Sequence, residues 1–282
     1  MKRRGYSETT LERVSKDLKQ ISKECDLNNP FEVLDYVMNR DCSNIRKEKL
    51  LESYKKFAEE YNIPFEMPRI IVDQKDPYIP TEEDIDILIG SLPLRTSVFC
   101  QFLKETACRC GEAWNLKWED IDFTRRLVRI TPEKNSNPRT IKISKNLIDR
   151  INMLKTSEKY VFRYKSDNLK TITRLFERQR NRISKIQQNP KLKLIHFHTF
   201  RHWKATMEYI KTRDILHVKT LLGHKNVNNT LKYIRYAEAL ESREDEWTCR
   251  VANNIDEAKK LIESGFEYVT TFEDKMLFRK RK

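Results

Sequence analysis

Residues 198–210 read HTFRHWKATMEYI, and residues 221–233 read LLGHKNVNNTLKY. In the first stretch His198 and Arg201 are three residues apart, so a helix would project both side chains from one face. All five histidines of the chain lie between positions 196 and 224. The groups best suited to bind an anion or move a proton are therefore concentrated in one part of the sequence.

The histidine spacing admits two interpretations. His196, His198 and His202 form H-x-H and H-x-x-x-H pairs that could ligate zinc. No cysteine lies nearby and no H-E-x-x-H pattern is present, so the ligand set is incomplete. The alternative is a phosphate site without metal, in which Arg201 binds phosphate oxygens and the His198 imidazole donates a hydrogen bond or moves a proton. We favour the phosphate site.

The composition indicates a polyanionic partner. The 282 residues include 56 Lys and Arg against 42 Asp and Glu, a formal net charge of +14. Such an excess favours nucleic acid, although a solvated basic surface gives the same balance. Aromatic residues make up 10% of the chain, which is enough for real hydrophobic cores.

Several classes of protein are excluded. No run of about 18 apolar residues predicts a transmembrane helix, and the basic start MKRRGYSETTLERV lacks the apolar stretch of a signal peptide. The six cysteines form no C-x-x-C pair, so we expect reduced thiols in a cytoplasmic, nucleoid-associated protein without membrane partners. No Gly-rich phosphate loop is present, and we expect no cofactor.

Apolar periodicity divides the chain into four parts. Residues 1–63 show helical spacing and are predicted to form a small helical domain. Residues 64–80 contain four prolines and are predicted to be an extended linker. Residues 81–250 begin with a capping signature and combine helices with one β-hairpin, LVRITPE and RTIKIS. Residues 251–282 are predicted to form a tail with one helix and a final hairpin.

Four motifs, in order, resemble those of the tyrosine recombinases, also called the phage integrase family. Residues 106–122, TACRCGEAWNLKWEDID, are similar to the box with the family's first arginine. The hairpin ITPEKNSNPRTIKI, residues 130–143, matches the region of the family's lysine. Residues 198–206 resemble H-x-L-R-H-x-x-A-T, and residues 221–233 resemble the L-G-H-x-x-x-x-x-T-x-x-Y box. The helical N-terminal domain also suits the family.

The resemblance implies a mainly α fold, with a small helical core-binding domain and a mostly α catalytic domain that carries a small β-hairpin or sheet. It implies site-specific recombination by DNA cleavage and rejoining. A tyrosine attacks the scissile phosphate, displaces a 5′-hydroxyl and forms a 3′-phosphotyrosine, so no ATP is needed. The motifs assign six catalytic residues: Arg109, Lys134, His198, Arg201, His224 and, as the nucleophile, Tyr233.

Each assigned residue has an expected role. The guanidiniums of Arg109 and Arg201 would hold the non-bridging phosphate oxygens. Lys134 would protonate the leaving 5′-oxygen from the hairpin tip, and His224 would hydrogen-bond a phosphate oxygen. His198 would assist proton transfer at the nucleophile.

Two neighbours of the assigned residues compete with them. Tyr236 lies near Tyr233 in sequence, but its spacing from His224 differs by three residues from the family pattern. His202 is expected to be structural, with a supporting role in the site as the alternative.

DNA contacts outside the site are expected from basic side chains. One group recurs every four residues along a helix, where a solvated basic face is the alternative, and another lies in the N-terminal domain. The expected contacts are Arg174, Arg178 and Arg182 in the first group and Arg46, Lys47 and Lys49 in the second.

We interpret the chain as an integrase of a mobile element or a Xer-like resolvase. It is expected to be a homo-tetramer on a specific double-stranded DNA site and a monomer free in solution. One alternative is a type IB topoisomerase, which the compact length and the L-G-H box disfavour. The other is a DNA-binding regulator without activity, which the complete catalytic set disfavours.

The C-terminal tail is expected to dock on a neighbouring protomer, as such segments do in the family, and folding back in cis is the alternative. Its helix carries Ile255, Ala258, Leu261 and Ile262 on one face, which must be buried against something.

Overall fold

The computed structural model describes residues 5–72, 76–133, 136–163, 168–241, 247–272 and 275–281. The chain divides into two compact units, Met1–Lys75 and Asp76–Lys282. The division falls within the predicted linker 64–80. Among the described residues, no helix is both long enough and apolar enough to cross a bilayer.

The first unit contains three helices, α1 (Glu8–Ile21), α2 (Pro30–Asn39) and α3 (Asn44–Glu60). Each begins after a polar N-cap whose side chain accepts a hydrogen bond from the first turn: Ser7, Asn29 and Ser43. Their buried faces form one apolar cluster: Ile21, Val33, Val37, Leu50, Leu51, Tyr54 and Ala58.

The two ends of the predicted linker each pack on their own unit. Phe65 and Met67 contact the core of the first unit, and the Phe65 ring lies edge-on to Tyr54 at 4.9 Å. Tyr78 and Ile79 pack against the core of the second unit. Apolar residues alternate with polar ones in these segments, so the extended chain has one apolar face. That face packs on the core beside it.

The second unit is mainly α, as the sequence predicts. Its described helices, in chain order, are α4 (Glu82–Ser91), α5 (Leu94–Thr106), α6 (Cys110–Trp114), α7 (Lys145–Asn152), α8 (Leu169–Ile186), α9 (Phe197–Thr212), α10 (Ile215–Leu222) and α11 (Asn228–Glu241). A small antiparallel sheet between α6 and α7 has the order β1 (Ile121–Asp122), β2 (Leu127–Ile130), β3 (Arg139–Lys142). Strands β2 and β3 are the predicted hairpin, with Val128 opposite Ile141.

Two apolar clusters place the helices that carry the motifs. The main core contains a group of aromatic rings in which Phe99 meets Phe162 and Phe197 edge-to-face, each at 5.0 Å. A second cluster lies among α9, α10 and α11 and includes Ala205 and Leu222. Together they fix the first turns of α9 against the end of α5 and against α11.

The C-terminal tail is a separate small arrangement of β4 (Trp247–Ala252), α12 (Ile255–Glu263), β5 (Glu267–Phe272) and β6 (Lys275–Arg281). The strands are antiparallel in the order β4-β6-β5. The predicted helix and final hairpin are present, and β4 is an additional strand. The predicted domain boundary after residue 250 therefore falls inside β4.

One face of α12 is buried within this tail. Ala258 and Leu261 pack with Phe278 of β6 and with Ala252 of β4. Ile255 and Ile262 remain 78% and 58% exposed. The apolar face expected to need an external groove is thus partly covered by the tail's own sheet.

Gly223 ends α10 with a positive φ of 68° and lies against the hairpin. The Asn137 backbone N–H donates to the Gly223 carbonyl at 2.9 Å, and the Ser136 hydroxyl donates to the same oxygen at 2.6 Å. A Cβ at this position would lie 2.8 Å from the Asn137 carbonyl oxygen. Only glycine meets both the backbone angle and the close approach.

We therefore expect Gly223→Ala to lower the free energy of unfolding by about 1–3 kcal/mol, measured by urea denaturation. Gly90→Ala is the matched control, because Gly90 lies in α4 and its Cβ would meet nothing within 4 Å. That substitution should raise stability by about 0.5–1 kcal/mol. Equal stability of Gly223→Ala and wild type would contradict the close packing of hairpin and turn.

Candidate active site

The start of α9 is held from α8. The buried Arg180 guanidinium donates to the Ile195 carbonyl at 2.7 Å and to His196 Nδ1 at 3.0 Å. His196 caps α9, and its backbone N–H donates to the Thr199 hydroxyl. These contacts fix the helix end from which His198 and Arg201 project.

Arg201 is the centre of the site and is 2% exposed. Its guanidinium donates to the Ala107 carbonyl at 2.6 Å and to the Leu222 carbonyl at 2.8 Å. It also donates to His224 Nε2 at 3.0 Å. Three of its five N–H donors are thus used by the protein, which leaves at most two for a phosphate. Burial, followed by the charge of Arg109, lowers the pKa of Arg201 to about 10, so the side chain stays charged at neutral pH.

The contact with Arg201 determines the tautomer of His224. Because a guanidinium only donates, His224 Nε2 must accept, and Nδ1 carries the hydrogen. Nδ1 lies 2.9 Å from the Thr230 hydroxyl, which can accept that hydrogen. Burial, then the charges of Arg201 and Arg109, lower the pKa of His224 to about 4. His224 is therefore neutral, and in this arrangement its Nε2 accepts the hydrogen bond from Arg201.

Arg109 is held by a buried carboxylate. Glu112 accepts from the Arg109 guanidinium at 3.0 Å and from the Arg109 backbone N–H at 2.9 Å. The other side of the carboxylate receives Arg139 of β3 at 2.7 Å. Burial alone would raise the pKa of Glu112, but the hydrogen bond and charge of Arg139 lower it below its usual range. Arg109 keeps 25% of its side chain exposed, so it remains accessible to a ligand.

Tyr233 lies beside these groups on α11 and is 1% exposed. Its hydroxyl is 3.2 Å from Nδ1 of His202. Burial raises the pKa of Tyr233 to about 12, although the charge of Arg201 acts in the opposite direction. The Tyr236 ring lies 5.8 Å from the Tyr233 ring.

His198 is exposed and lies one helical turn before His202, with the two rings edge-to-face at 4.6 Å. Partial burial, then the charges of Arg201, Lys232 and Arg109, lower the pKa of His198 to about 4. His198 is therefore neutral and open to the pocket.

The structure thus brings five of the six motif residues together and leaves one outside. Arg109, His198, His224 and Tyr233 are clustered around Arg201, within range of its charge, whereas Lys134 lies outside the described residues. In the described parts of the chain, no group of three or more His, Cys, Asp or Glu side chains is clustered for a metal ion.

Three residues of the pocket were not assigned from the sequence. Glu112 and Arg139 hold Arg109, and Thr230 is the partner of His224. Glu112 lies three residues after Arg109, a spacing that predicts contact on a helix and could have indicated the pair. Arg139 is 27 residues from Glu112, and no local pattern connects them.

The basic residues expected to contact DNA differ in their surroundings. Arg174, Arg178 and Arg182 are exposed along one side of α8. In the first unit Lys49 is exposed, whereas Arg46 pairs with the buried Asp17 at 2.8 Å. Lys47 donates to the Met38 carbonyl at 2.6 Å. Arg46 therefore contributes to the stability of its own domain.

Comparison with known proteins identifies the family. The mainly α second unit with its small antiparallel sheet has the tyrosine recombinase fold. The family model "Phage integrase family" matches residues 81–239, more than half of the chain. The chain belongs to the phage integrase family.

The relatives include archaeal proteins. A probable integrase/recombinase of Methanocaldococcus jannaschii is 29% identical over 160 residues, which cover 54% of this chain and 48% of that protein. Tyrosine recombinase XerA of Pyrococcus furiosus is 30% identical over 168 residues, covering 55% and 56%. The chain thus spans about half the length of these curated relatives.

A solved structure shows the same fold. The lambda integrase tetramer bound to a Holliday junction aligns with a TM-score of 0.62 at 14% identity, covering 82% of this chain and 72% of that chain. At this identity the likeness concerns the fold.

Glu112 provides a test of the pocket. Replacing Glu112 with Gln leaves Arg109 and Arg139 without their carboxylate, and we expect a loss of about 3–5 kcal/mol in the free energy of unfolding at pH 7. Because the pKa of Glu112 is lowered on folding, its stabilising effect is present above the unfolded value of about 4.3 and is lost as the pH falls through the folded value.

The difference between wild type and Glu112→Gln should therefore shrink as the pH is lowered from 7 to 3, measured by urea denaturation. Glu119→Gln is the control, since Glu119 is 66% exposed and pairs with Lys117 on the surface. It should remain near wild type. A pH-independent difference for Glu112→Gln would contradict the proposed ion pairs.

Proposed function

We propose that this protein is a site-specific tyrosine recombinase that cleaves and rejoins double-stranded DNA through a 3′-phosphotyrosine. The observation that carries the proposal is the position of the Tyr233 hydroxyl in a pocket with Arg109 and Arg201. Membership of the phage integrase family and the likeness to XerA and to lambda integrase on a Holliday junction support it.

The pocket has an accessible side and a buried side. His198 is exposed and Arg109 is partly exposed, whereas Arg201 and Tyr233 are buried. A phosphate approaching from solvent would meet His198 and Arg109 first, and the remaining donors of Arg201 would complete its binding. The two guanidiniums would then stabilise the charge that develops at phosphorus.

The chemical step follows from these positions. The Tyr233 oxygen forms a bond to phosphorus, and the bond from phosphorus to the 5′-oxygen breaks. The tyrosine proton passes to an imidazole, which we assign to His198 on the family motif, and the leaving oxygen takes a proton from a general acid. We assign that acid to Lys134 on the family motif.

Tyr233→Phe tests the nucleophile. It removes one hydroxyl and no charge, so covalent attachment should be abolished while DNA affinity changes little. The target duplex is first selected by binding from a randomised pool. A nicked version of it then traps protein–DNA adducts that resist SDS.

Tyr236→Phe is the matched control, since its ring lies next to that of Tyr233. It should form the adduct. An adduct retained in Tyr233→Phe and mapped to Tyr236 would overturn the assignment. A wild-type protein that binds but never forms an adduct would be a regulator, and one that relaxes supercoils without strand exchange would be a topoisomerase.

We also propose that the exposed basic side of α8, formed by Arg174, Arg178 and Arg182, contacts DNA phosphates. Changing all three to Gln should weaken binding and reduce the slope of log affinity against log salt by about 2.7, because each contact contributes about 0.9. Fluorescence anisotropy over a salt series measures this slope.

A second triple variant provides the control. Lys259, Lys260 and Lys275 of the tail are exposed and carry the same total charge. Their replacement by Gln should change the slope less. Equal slopes for the two triple variants would show a general charge effect, and an unchanged slope with altered sequence preference would show that α8 contacts bases.

The assembly is proposed by likeness. Lambda integrase is a tetramer on a Holliday junction. We propose a homo-tetramer on DNA for this protein, a monomer in solution, and docking of the tail on a neighbouring protomer. The exposed Ile255 and Ile262 of α12 are the apolar residues that such docking would cover.

A further inference from the structure

His202, which the sequence suggests is structural, contacts the atom that attacks the phosphate. Its Nδ1 lies 3.2 Å from the Tyr233 hydroxyl oxygen. The contact spans two helices, since His202 lies on α9 and Tyr233 on α11. The Thr206 hydroxyl donates to the His202 carbonyl at 2.9 Å, one turn further along α9.

A ring nitrogen and a hydroxyl can form a hydrogen bond in either direction. The direction of this bond therefore depends on the charges nearby. The charge of Arg201 acts on the Tyr233 hydroxyl and favours negative charge on its oxygen. The oxygen lone pairs are therefore best directed toward Arg201, with the hydroxyl hydrogen directed away from it. When the hydroxyl hydrogen points away from Arg201, His202 Nδ1 accepts it.

The protonation of both groups is compatible with this direction. Burial, then the charges on His198, Lys232 and Arg201, lower the pKa of His202 to about 3. The imidazole is neutral at neutral pH and has one acceptor nitrogen. Tyr233, with a pKa of about 12, keeps its hydrogen. The bond is therefore a neutral one that orients the hydroxyl without ionising it.

We propose that His202 is a positioning residue for the nucleophile: its Nδ1 accepts the Tyr233 hydroxyl hydrogen and holds the oxygen lone pairs toward the phosphate site formed by Arg201 and Arg109. This proposal rests on the proposed recombinase function. The proposal gives different roles to two histidines on one face of α9. His202 orients the hydroxyl before attack, and the hydroxyl turns from Nδ1 toward the neighbouring His198 ring, 4.6 Å from the His202 ring, when the proton is transferred.

Two substitutions at His202 separate positioning from packing. In His202→Asn the amide oxygen occupies nearly the place of Nδ1 and can accept the same hydrogen. In His202→Leu the volume is similar and no acceptor remains. His217→Asn is the matched control, because His217 is 48% exposed and pairs with Glu208 on the surface.

The first measurement is the single-turnover rate of adduct formation on the selected nicked duplex at saturating DNA. We expect His202→Leu to react roughly tenfold or more slowly, the rate equivalent of one hydrogen bond. Its DNA affinity should stay within about twofold of wild type, because no charge is lost. His202→Asn should recover most of the rate, and His217→Asn should match wild type.

The second measurement does not depend on activity. Long-range proton–nitrogen NMR of the full chain with labelled histidines reports the tautomer of each imidazole. We expect His202 to carry its hydrogen on Nε2, and Tyr233→Phe to shift its Nδ1 resonance. His202→Asn identifies the resonance by its disappearance.

The outcomes are distinct. The proposal is overturned if His202 carries its hydrogen on Nδ1, or if its Nδ1 resonance does not shift in Tyr233→Phe. Both results hold whether or not the protein cleaves DNA. A folded His202→Leu that reacts as fast as wild type would also overturn it, as would a folded His202→Asn that is as slow as the Leu variant. If wild type forms no adduct, the proposed function fails, and the NMR result still decides the contact. If His202→Leu does not fold, the rate of adduct formation by His202→Asn and the NMR result test the proposal.

Discussion

The buried guanidinium of Arg201 is the interaction on which the site depends. It joins the left-handed turn after α5, through the Ala107 carbonyl, to the end of α10, through the Leu222 carbonyl. The same guanidinium determines the tautomer of His224, and its charge opposes the effect of burial on the pKa of Tyr233. Segments more than 90 residues apart in sequence thus converge on one side chain that only donates hydrogen bonds.

A buried arginine bound to neutral carbonyls is costly without a negative charge nearby. The pocket contains Arg109, Arg139 and Arg201 with the single carboxylate of Glu112 between the first two. Among these groups the positive charges exceed the negative ones by two, while the three neighbouring histidines are neutral. The site therefore has a net positive charge. A phosphodiester is negative, so the charge of these groups is complementary to a DNA backbone.

The sequence predicted the parts of the fold that local chemistry determines. Ser43 and Thr81 begin helices because their side chains accept hydrogen bonds from the first turn, and this chemistry is visible in the chain itself. The pairing of Arg139 with Glu112 depends on how β3 packs against α6, which no local pattern encodes. A buried Glu is also uncommon, so the sequence alone gives no reason to place Glu112 in the interior.

The contact of His202 shows the same limit within a recognised motif. Its spacing places it on one face of α9 with His198, but the position of α11 decides which imidazole meets Tyr233. Apolar packing of α9, α10 and α11 around Ala205 and Leu222 fixes that distance. The sequence could therefore suggest Tyr233 as the nucleophile, and it could not indicate which imidazole contacts its hydroxyl.

Tyr233 and the imidazoles beside it are neutral at neutral pH. Burial raises the pKa of Tyr233 to about 12, so its hydroxyl keeps its hydrogen. His198 and His202 are neutral because burial, and after it the nearby positive charges, lower the pKa of each. A bound phosphate adds negative charge, which raises the pKa of a nearby imidazole and makes it a better proton acceptor. The same charge also disfavours a free tyrosinate, so the proton must leave as the bond to phosphorus forms. In the proposed reaction, binding of the substrate phosphate would thus improve the base, next to the hydroxyl that His202 contacts.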